Sequence, residues 1–436
     1  MLYQKEIPVK YETDVCVVGG GPAGIAAAVA AARSGAKVFL LESQGCFGGA
    51  GTSALVPTFV SFTDGLHFMA GGIGREVYDW CVAENPAGVR YNHSNNIGIP
   101  AEGLKRFYDE LVTQAGVEFL FFATMVDVIG TDGHVDAVVV AAKSGLYAVS
   151  AKVFVDATGD GDLCARAGAP WEMGDENGVV MSSTLCSLWV DVDWEEPYEA
   201  QNAQLERAFA DHVFSWEDRH LPGIFATGEH TGGGNIGHSF GVNGTEEADL
   251  TRGMVEGRRI LPEFVRYYRD YVGGAFRDAY PVATGAVLGV RESRRILGDY
   301  VLTIEDFHNR SSFEDEIGRY SYPIDIHIPV PTKEAYEAFE KEHSTMVYRE
   351  GETYGIPYRT LLPRELGNVF VAGRCVSTDK KMQSSIRVMP GCFITGQAVG
   401  VAAAMCAEEG KETREVPVGI LQDRLVAMGG YLPNHR

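Results

Sequence analysis

The sequence predicts an α/β fold, a Rossmann-type dinucleotide-binding domain interrupted by an inserted α+β domain, on three observations. A short apolar run at residues 14–18 is followed at once by Gly19-x-Gly21-x-x-Gly24 and an alanine-rich stretch. A second apolar run at 37–41 ends in Glu42. A third, NVFVAG at 368–373, leads near the other end of the chain into a second alanine-rich segment, SSIRVMPGCFITGQAVGVAAA. One sheet must therefore be assembled from both ends of the chain, around an insertion.

Each element has its own physical reason. Residues 14–18 read as a buried strand and 22–34 as the helix that follows it. Between them Gly19 permits the tight turn and Gly21 lets backbone N–H groups approach a pyrophosphate, while Gly24 lets helix and strand pack closely. The helix dipole favours the anion at that end. Glu42, closing the second strand about 20 residues on, is placed to accept from both ribose hydroxyls and to repel a 2′-phosphate. The ligand is FAD or NAD, and not NADP.

FAD is the longer of the two and needs contacts from remote segments, which the chain supplies. GCFGGAGTSALVP follows Glu42, and its Gly48, Gly49 and Thr52 either run along a pyrophosphate and ribityl chain or form a flexible surface loop. Residues 117–129 read as a strand pair, and 137–162 as a hairpin returning into a strand at 153–156 and a glycine turn. Between 171 and 353 no further glycine fingerprint is followed by an apolar strand ending in an acid, so a separate NAD domain is not expected.

Composition limits the partners. With 436 residues, 45% hydrophobic and 22% charged, the chain suits a globular fold of two intertwined domains. Its net charge of −22, from 37 basic against 59 acidic residues, disfavours nucleic acid and anionic membranes as partners and favours a small-molecule substrate. The 8 cysteines include no CxxC pair, which argues against an iron–sulfur cluster, a zinc ribbon or a dithiol, and no metal is expected. The amino terminus lacks the apolar core of a secretory signal, and the alanine runs fall short of the ~20 residues of a membrane span. A cytoplasmic protein is expected, as a homo-oligomer or with a redox partner protein among the open possibilities.

GGGPAG with Glu42, VDATGDGDLCARAG in the middle and NVFVAGRC before SSIRVMPGCFITGQAVGVAAA together resemble the FAD-dependent oxidoreductase family. That family belongs to the flavoproteins with two dinucleotide-binding motifs, whose fold is glutathione reductase-like, and is distantly related to fumarate reductase flavoproteins. GVRESRRILGDYVLTIEDF, YPIDIH and IPYRTLLP extend the resemblance over most of the chain. It implies FAD held by Gly19, Gly21, Pro22, Ala23 and Gly24, by Glu42 and Ser43, and by Gly48, Gly49 and Thr52. The backbone of Val126 would meet the adenine. Ala157, Thr158 and Gly159 would pass near the dinucleotide, and Gly373, Arg374, Val388, Met389 and Gly391 would lie against the flavin. A helix starting at Pro390 and Gly391 would aim its positive end at the pyrimidine side of the flavin. Arg374 stands where many relatives carry an acid; it pairs with phosphate or lies exposed. SQGCFGG has no counterpart of the histidine that fumarate reductases link to flavin, so non-covalent FAD is expected and Cys46 is assigned to packing.

The domain boundaries expected are 1–170 with 355–436 for the FAD-binding domain, and 171–354 for a substrate or cap domain. GEHTGGGNIGHSFGVNG within the latter reads as a loop, either contacting a hydroxyl-rich substrate through His238 and Asn243 or mobile at the surface. In PIDIHIPVP, Asp325 and His327 alternate on one face of a strand, as a pair for proton transfer or as a structural hydrogen bond. The expected activity is hydride transfer between a small polar organic substrate, at CH–OH or CH–CH, and FAD. Arg387, Arg359, Tyr358 and His327 are the catalytic candidates. The alternative is an electron-transfer flavoprotein subunit of a larger redox complex.

Overall fold

The structure, a computed structural model, describes residues 1, 4–90, 96–343 and 346–435. Its centre is a mixed sheet in which, among the described residues, seven strands pair. Val9–Val18 pairs in parallel with Val38–Leu41 on one side and Gly145–Asp156 on the other, with Val15 opposite both Val38 and Val153. Glu118–Leu120 extends the sheet in parallel beyond Val38–Leu41. The long strand Gly145–Asp156 divides its other edge: its first half pairs antiparallel with His134–Ala142, and its last residues pair in parallel with Val369–Val371. The segment from the far end of the chain thus completes the sheet. VFLL and VFV are continuous apolar runs because parallel strands are covered on both faces, and every residue in both is buried.

Two helices cover one face, and glycine decides how closely they meet. A side chain at Gly396 would bring its Cβ within 2.2 Å of the Ala23 carbonyl oxygen, and one at Gly400 within 2.3 Å of that of Ala27. The helices Pro22–Arg33 and Met389–Glu409 therefore cross in backbone contact, which is why both are rich in alanine and glycine. Met389–Glu409 is apolar and, at 21 residues, long enough to span a membrane, but its apolar stretch is wholly buried inside the fold. Gly400→Val forces a Cβ against backbone that cannot move alone, so a loss of about 3 kcal/mol is expected. A lowered denaturant midpoint checks this, and an unchanged midpoint contradicts the close crossing.

The fold is mixed α/β with a parallel-strand sheet, consistent with an FAD-binding Rossmann-type domain. Two expectations require correction. TGGGN is a buried strand, not a loop: Thr231–Asn235 lies between Gly223–Gly228 and Ser187–Val190 in a four-stranded sheet completed by Tyr280–Thr284. A Cβ at Gly233 would lie 2.2 Å from Pro57 Cβ, and one at Gly234 2.9 Å from Trp189 Nε1, so these glycines admit neighbours rather than supply flexibility. PIDIH is not a strand either. The strand Glu316–Tyr320 ends just before it, and residues 321–329 pair with no neighbouring strand.

Candidate active site

A cavity of about 1100 Å³ runs along the carboxyl ends of the parallel strands. One wall is the first glycine turn, contributing Gly19, Gly21, Pro22 and Ala23, with Glu42, Ser43 and Gly49 beside it. The second glycine turn contributes Ala157, Thr158 and Gly159, and the carboxy-terminal segment Gly373, Arg374, Val388 and Met389. The amino termini of both alanine-rich helices therefore open on the same space. At Gly21 a Cβ would meet no protein atom within 4 Å. Its absence leaves room for a ligand against the backbone, and the site fits a dinucleotide.

Glu42 is 7% exposed, and its carboxylate secures the turn from within. Oε2 accepts from Gly20 N–H at 2.7 Å and Oε1 from Gln44 N–H at 2.6 Å. A carboxylate has about four acceptor positions, so capacity for ribose hydroxyls remains. Glu42→Ala is expected to weaken FAD binding about 10- to 100-fold, the loss of roughly 1.5–3 kcal/mol of charge-assisted hydrogen bonding. Titration of apoprotein with FAD checks it; unchanged affinity removes Glu42 from the ribose.

Five residues expected at the cofactor lie off the cavity. A Cβ at Gly24 would stand 1.7 Å from the Gly19 carbonyl oxygen, so Gly24 serves helix–strand packing. Gly48 faces the Thr52 side chain and the Tyr108 ring, while its N–H donates to the Gly20 carbonyl at 2.8 Å. Thr52 donates its hydroxyl to the Phe47 carbonyl at 2.5 Å, which ties the loop to itself. Gly391 packs toward the Ile386 carbonyl and Tyr320. At Val126 the pairing with the next strand shifts register between Met125 and Asp127, and the Val126 carbonyl accepts from Arg166 Nε at 2.9 Å. Met125, one residue earlier, lines the cavity in its place. Arg374 is neither exposed nor free: it pairs with Asp160 at 2.5 Å and donates to the Gly159 carbonyl at 2.9 Å, fixing the second glycine turn. Asp156, absent from the sequence-based set, holds that turn too, accepting from Thr158 and from Cys164 N–H.

The other end of the cavity carries charge and imidazole. Arg387 lies between the short helix Lys380–Ile386 and the long helix Met389–Glu409, and its Nη2 donates to the Asp325 carbonyl at 3.0 Å and to Asp325 Oδ2 at 3.3 Å. Among the described residues, the buried Nε of Arg387 has no hydrogen-bond partner. His327 follows Asp325 and hydrogen bonds through Nδ1 to His238 Nε2 at 2.9 Å. His238 Nδ1 lies 2.6 Å from Asp218 Oδ2. His220 stacks on His327 with ring centres 4.3 Å apart. Burial, followed by the charge of Arg291, pushes His327 well below the usual histidine range; burial and His238 hold His220 down to about 4. Burial works against the Asp325 carboxylate, but the fixed charge of Arg387 beside it holds its pKa below the usual carboxylate range and keeps the group ionised.

Sequence reasoning missed Arg291. It is buried in the cavity wall, donates to Ser182 O, Thr184 Oγ1 and Asn235 Oδ1, and among the described residues has no acid within ion-pairing distance. Burial and the neighbouring Arg387 lower its pKa to about 10. The ring nitrogens of His220, His238 and His327 fall within 4.8 Å of one another, yet two of them hydrogen bond each other and two guanidiniums adjoin, so the group reads as a hydrogen-bonded row. Two candidates lie elsewhere. The Tyr358 hydroxyl is buried and donates to the Thr413 carbonyl at 2.7 Å; Arg359 is exposed and pairs with Asp315 at 2.9 Å. Neither reaches the cavity. Asn243 shapes a turn, accepting from Thr245 through Oδ1.

Parallel strands with glycine turns at their carboxyl ends, an acid closing the second strand and a cavity along them define a dinucleotide-binding protein. The chain belongs to the FAD dependent oxidoreductase family, whose description matches residues 14–425. It is similar to digeranylgeranylglycerophospholipid reductase 2 of Methanopyrus kandleri, 26% identical over 305 residues, covering 68% of this chain and 70% of that protein. Thiamine thiazole synthase of Methanococcus aeolicus is 27% identical over 268 residues, 55% of this chain and 85% of that one. Among solved structures, a geranylgeranyl bacteriochlorophyll reductase-like protein of Thermoplasma acidophilum aligns over 96% of this chain and 83% of its own, at 12% identity and a TM-score of 0.47. The protein is an FAD-dependent oxidoreductase, and an electron-transfer subunit is not the favoured reading.

Proposed function

We propose that the protein transfers a hydride between a small polar organic substrate and non-covalently held FAD. FAD, when bound, supplies the two-electron acceptor or donor. The observation that carries this reading is the continuity of the cavity: the dinucleotide turns and the Asp325, His327 and Arg387 group line one space. A substrate lying between them meets fixed positive charge from Arg387 and Arg291 and a proton acceptor in His327. Arg387 orients the polar or anionic part of the substrate, and Asp325 steadies the imidazole when it carries a proton.

Residues 1–170 with 355–436 form the FAD-binding part, and 171–354 a substrate-side cap in the glutathione reductase-like arrangement. The four-stranded sheet within the second range supports this division, since among the described residues its strands pair only with one another, and it brings Asn235 to the cavity wall.

Anaerobic incubation of the holoenzyme with a panel of small hydroxylated and saturated metabolites tests the reading. Bleaching of the flavin band by one of them, with no protein partner present, is the expected result. If a protein electron carrier alone reduces the flavin, the activity belongs to an electron-transfer component.

A further inference from the structure

His238 and His327 stand in a row between two carboxylates, and counting its protons shows what the row lacks. The row has three junctions: Asp218 to His238, His238 to His327, and His327 to Asp325. Each needs one proton to be a hydrogen bond. Two neutral imidazoles bring only two. Two junctions are closed, at 2.6 Å and 2.9 Å. The third is not: His327 Nε2 lies 3.6 Å from Asp325 Oδ1, beyond hydrogen-bonding range. With His238 giving its Nδ1 proton to Asp218 and His327 giving its Nδ1 proton to His238, the bare lone pair falls on His327 Nε2. His327 and Asp325 both line the cavity, so the open junction is the one a substrate reaches.

The ionised Asp325 carboxylate is an acceptor only and leaves that lone pair free, while its other oxygen is engaged elsewhere. Tyr322 donates to Oδ2 at 3.2 Å and Arg387 at 3.3 Å. Charge around the row is close to balanced. Arg291 and Arg387 oppose an added proton while Asp218 and Asp325 favour it; His220 stacks on His327, and Tyr336 adjoins His220. Burial and Arg291 keep His327 neutral before reaction, so its Nε2 lone pair stands ready, and a proton arriving there closes the third junction.

We propose that this row is a one-proton store for oxidation of a CH–OH group, with His327 Nε2 as the base and His238 and Asp218 as positioning residues. The inference rests on the hydride-transfer reading above and narrows its substrate to alcohols. In the step, the carbon-bound hydrogen leaves as hydride with its electron pair to oxidised FAD. The O–H bond breaks, its proton goes to His327 Nε2, and the C–O bond becomes C=O. A hydroxyl donates to a bare imidazole nitrogen before reaction, so proton and base are aligned in advance. A C–H offers no such donor, and a saturated CH–CH substrate would leave the row unused. His238 keeps Nδ1 of His327 occupied, which fixes the tautomer, and Asp218 does the same for His238.

The test is proton uptake during anaerobic photoreduction of the holoenzyme, followed with a pH indicator in weak buffer. Wild type is expected to take up one proton more per two electrons than His327→Gln or His238→Gln; the second variant serves if the first does not retain flavin. Equal uptake in wild type and variants overturns the store. In a second arm, polyols and 2-hydroxy acids are compared with the same skeletons lacking the hydroxyl. The hydroxylated members are expected to bleach the flavin, more slowly as pH falls and the third junction closes, and about 10²- to 10⁴-fold more slowly in His327→Gln. Equal bleaching by the hydroxyl-free skeletons overturns the alcohol assignment. A preparation without a visible flavin band fails the parent reading before either arm begins.

Discussion

Arg387→Ala is expected to keep FAD bound, with an unaltered oxidised spectrum, and to slow flavin reduction by substrate about 10- to 1,000-fold, the cost of one charged stabiliser at a dry site. Arg387 is only partly used by the protein: Nη2 holds Asp325, while the buried Nε has no hydrogen-bond partner among the described residues. A buried guanidinium donor without an acceptor is costly, and an anionic or polar group in the cavity would satisfy it. The competing role is an anchor, in which the ion pair with Asp325 fastens the turn between Lys380–Ile386 and Met389–Glu409. An anchor predicts lost FAD or a lower melting temperature, with surviving holoenzyme reduced at the normal rate. Measuring flavin content and reduction rate on the same preparation separates the two.

Gly21→Val is expected to leave the fold intact and to weaken FAD binding by about 100-fold or more, close to 3 kcal/mol. The two halves of this prediction have separate causes. Gly21 has φ −73° and ψ −176°, which any residue adopts, and a Cβ there meets no protein atom within 4 Å, so the apoprotein accepts the side chain. The same empty space is where backbone must approach a pyrophosphate, so the valine occupies the ligand's place. Gly19 is the instructive contrast: at φ +100° and with a Cβ 2.4 Å from the Ala157 carbonyl oxygen, its replacement breaks the turn itself. Gly21→Val with wild-type melting behaviour and no retained flavin would bear this out, and wild-type FAD affinity would contradict it.

The cofactor end of the site was legible because its signals are local. A glycine turn, the strands beside it and the acid closing the second strand lie within one short stretch, and each type follows from what the next atom over requires. Register was not legible. The irregularity between Met125 and Asp127 moves the lining position from Val126 to Met125, and nothing in VEFLFFATMVDVI announces it. TGGGN looked like a loop because glycine usually marks one; the neighbours that exclude side chains there, Pro57 and Trp189, are distant in sequence. Tyr358 and Arg359 carried a motif resemblance without a cavity. The histidine row spans 89 residues between its two rings, a separation that no pattern bridges. One signal was available: Asp218-Arg219-His220 and Asp325-Ile326-His327 share the spacing Asp-x-His. Even so, Asp218 serves His238 and not His220, and only the fold assigns that partner.

The most direct test of the account is the flavin itself. The purified protein is heat-denatured, and both the supernatant and the chain are examined for flavin. The account predicts a yellow protein that releases intact FAD into the supernatant. A colourless protein that cannot be reconstituted with FAD, or a flavin that stays with the denatured chain, would contradict it.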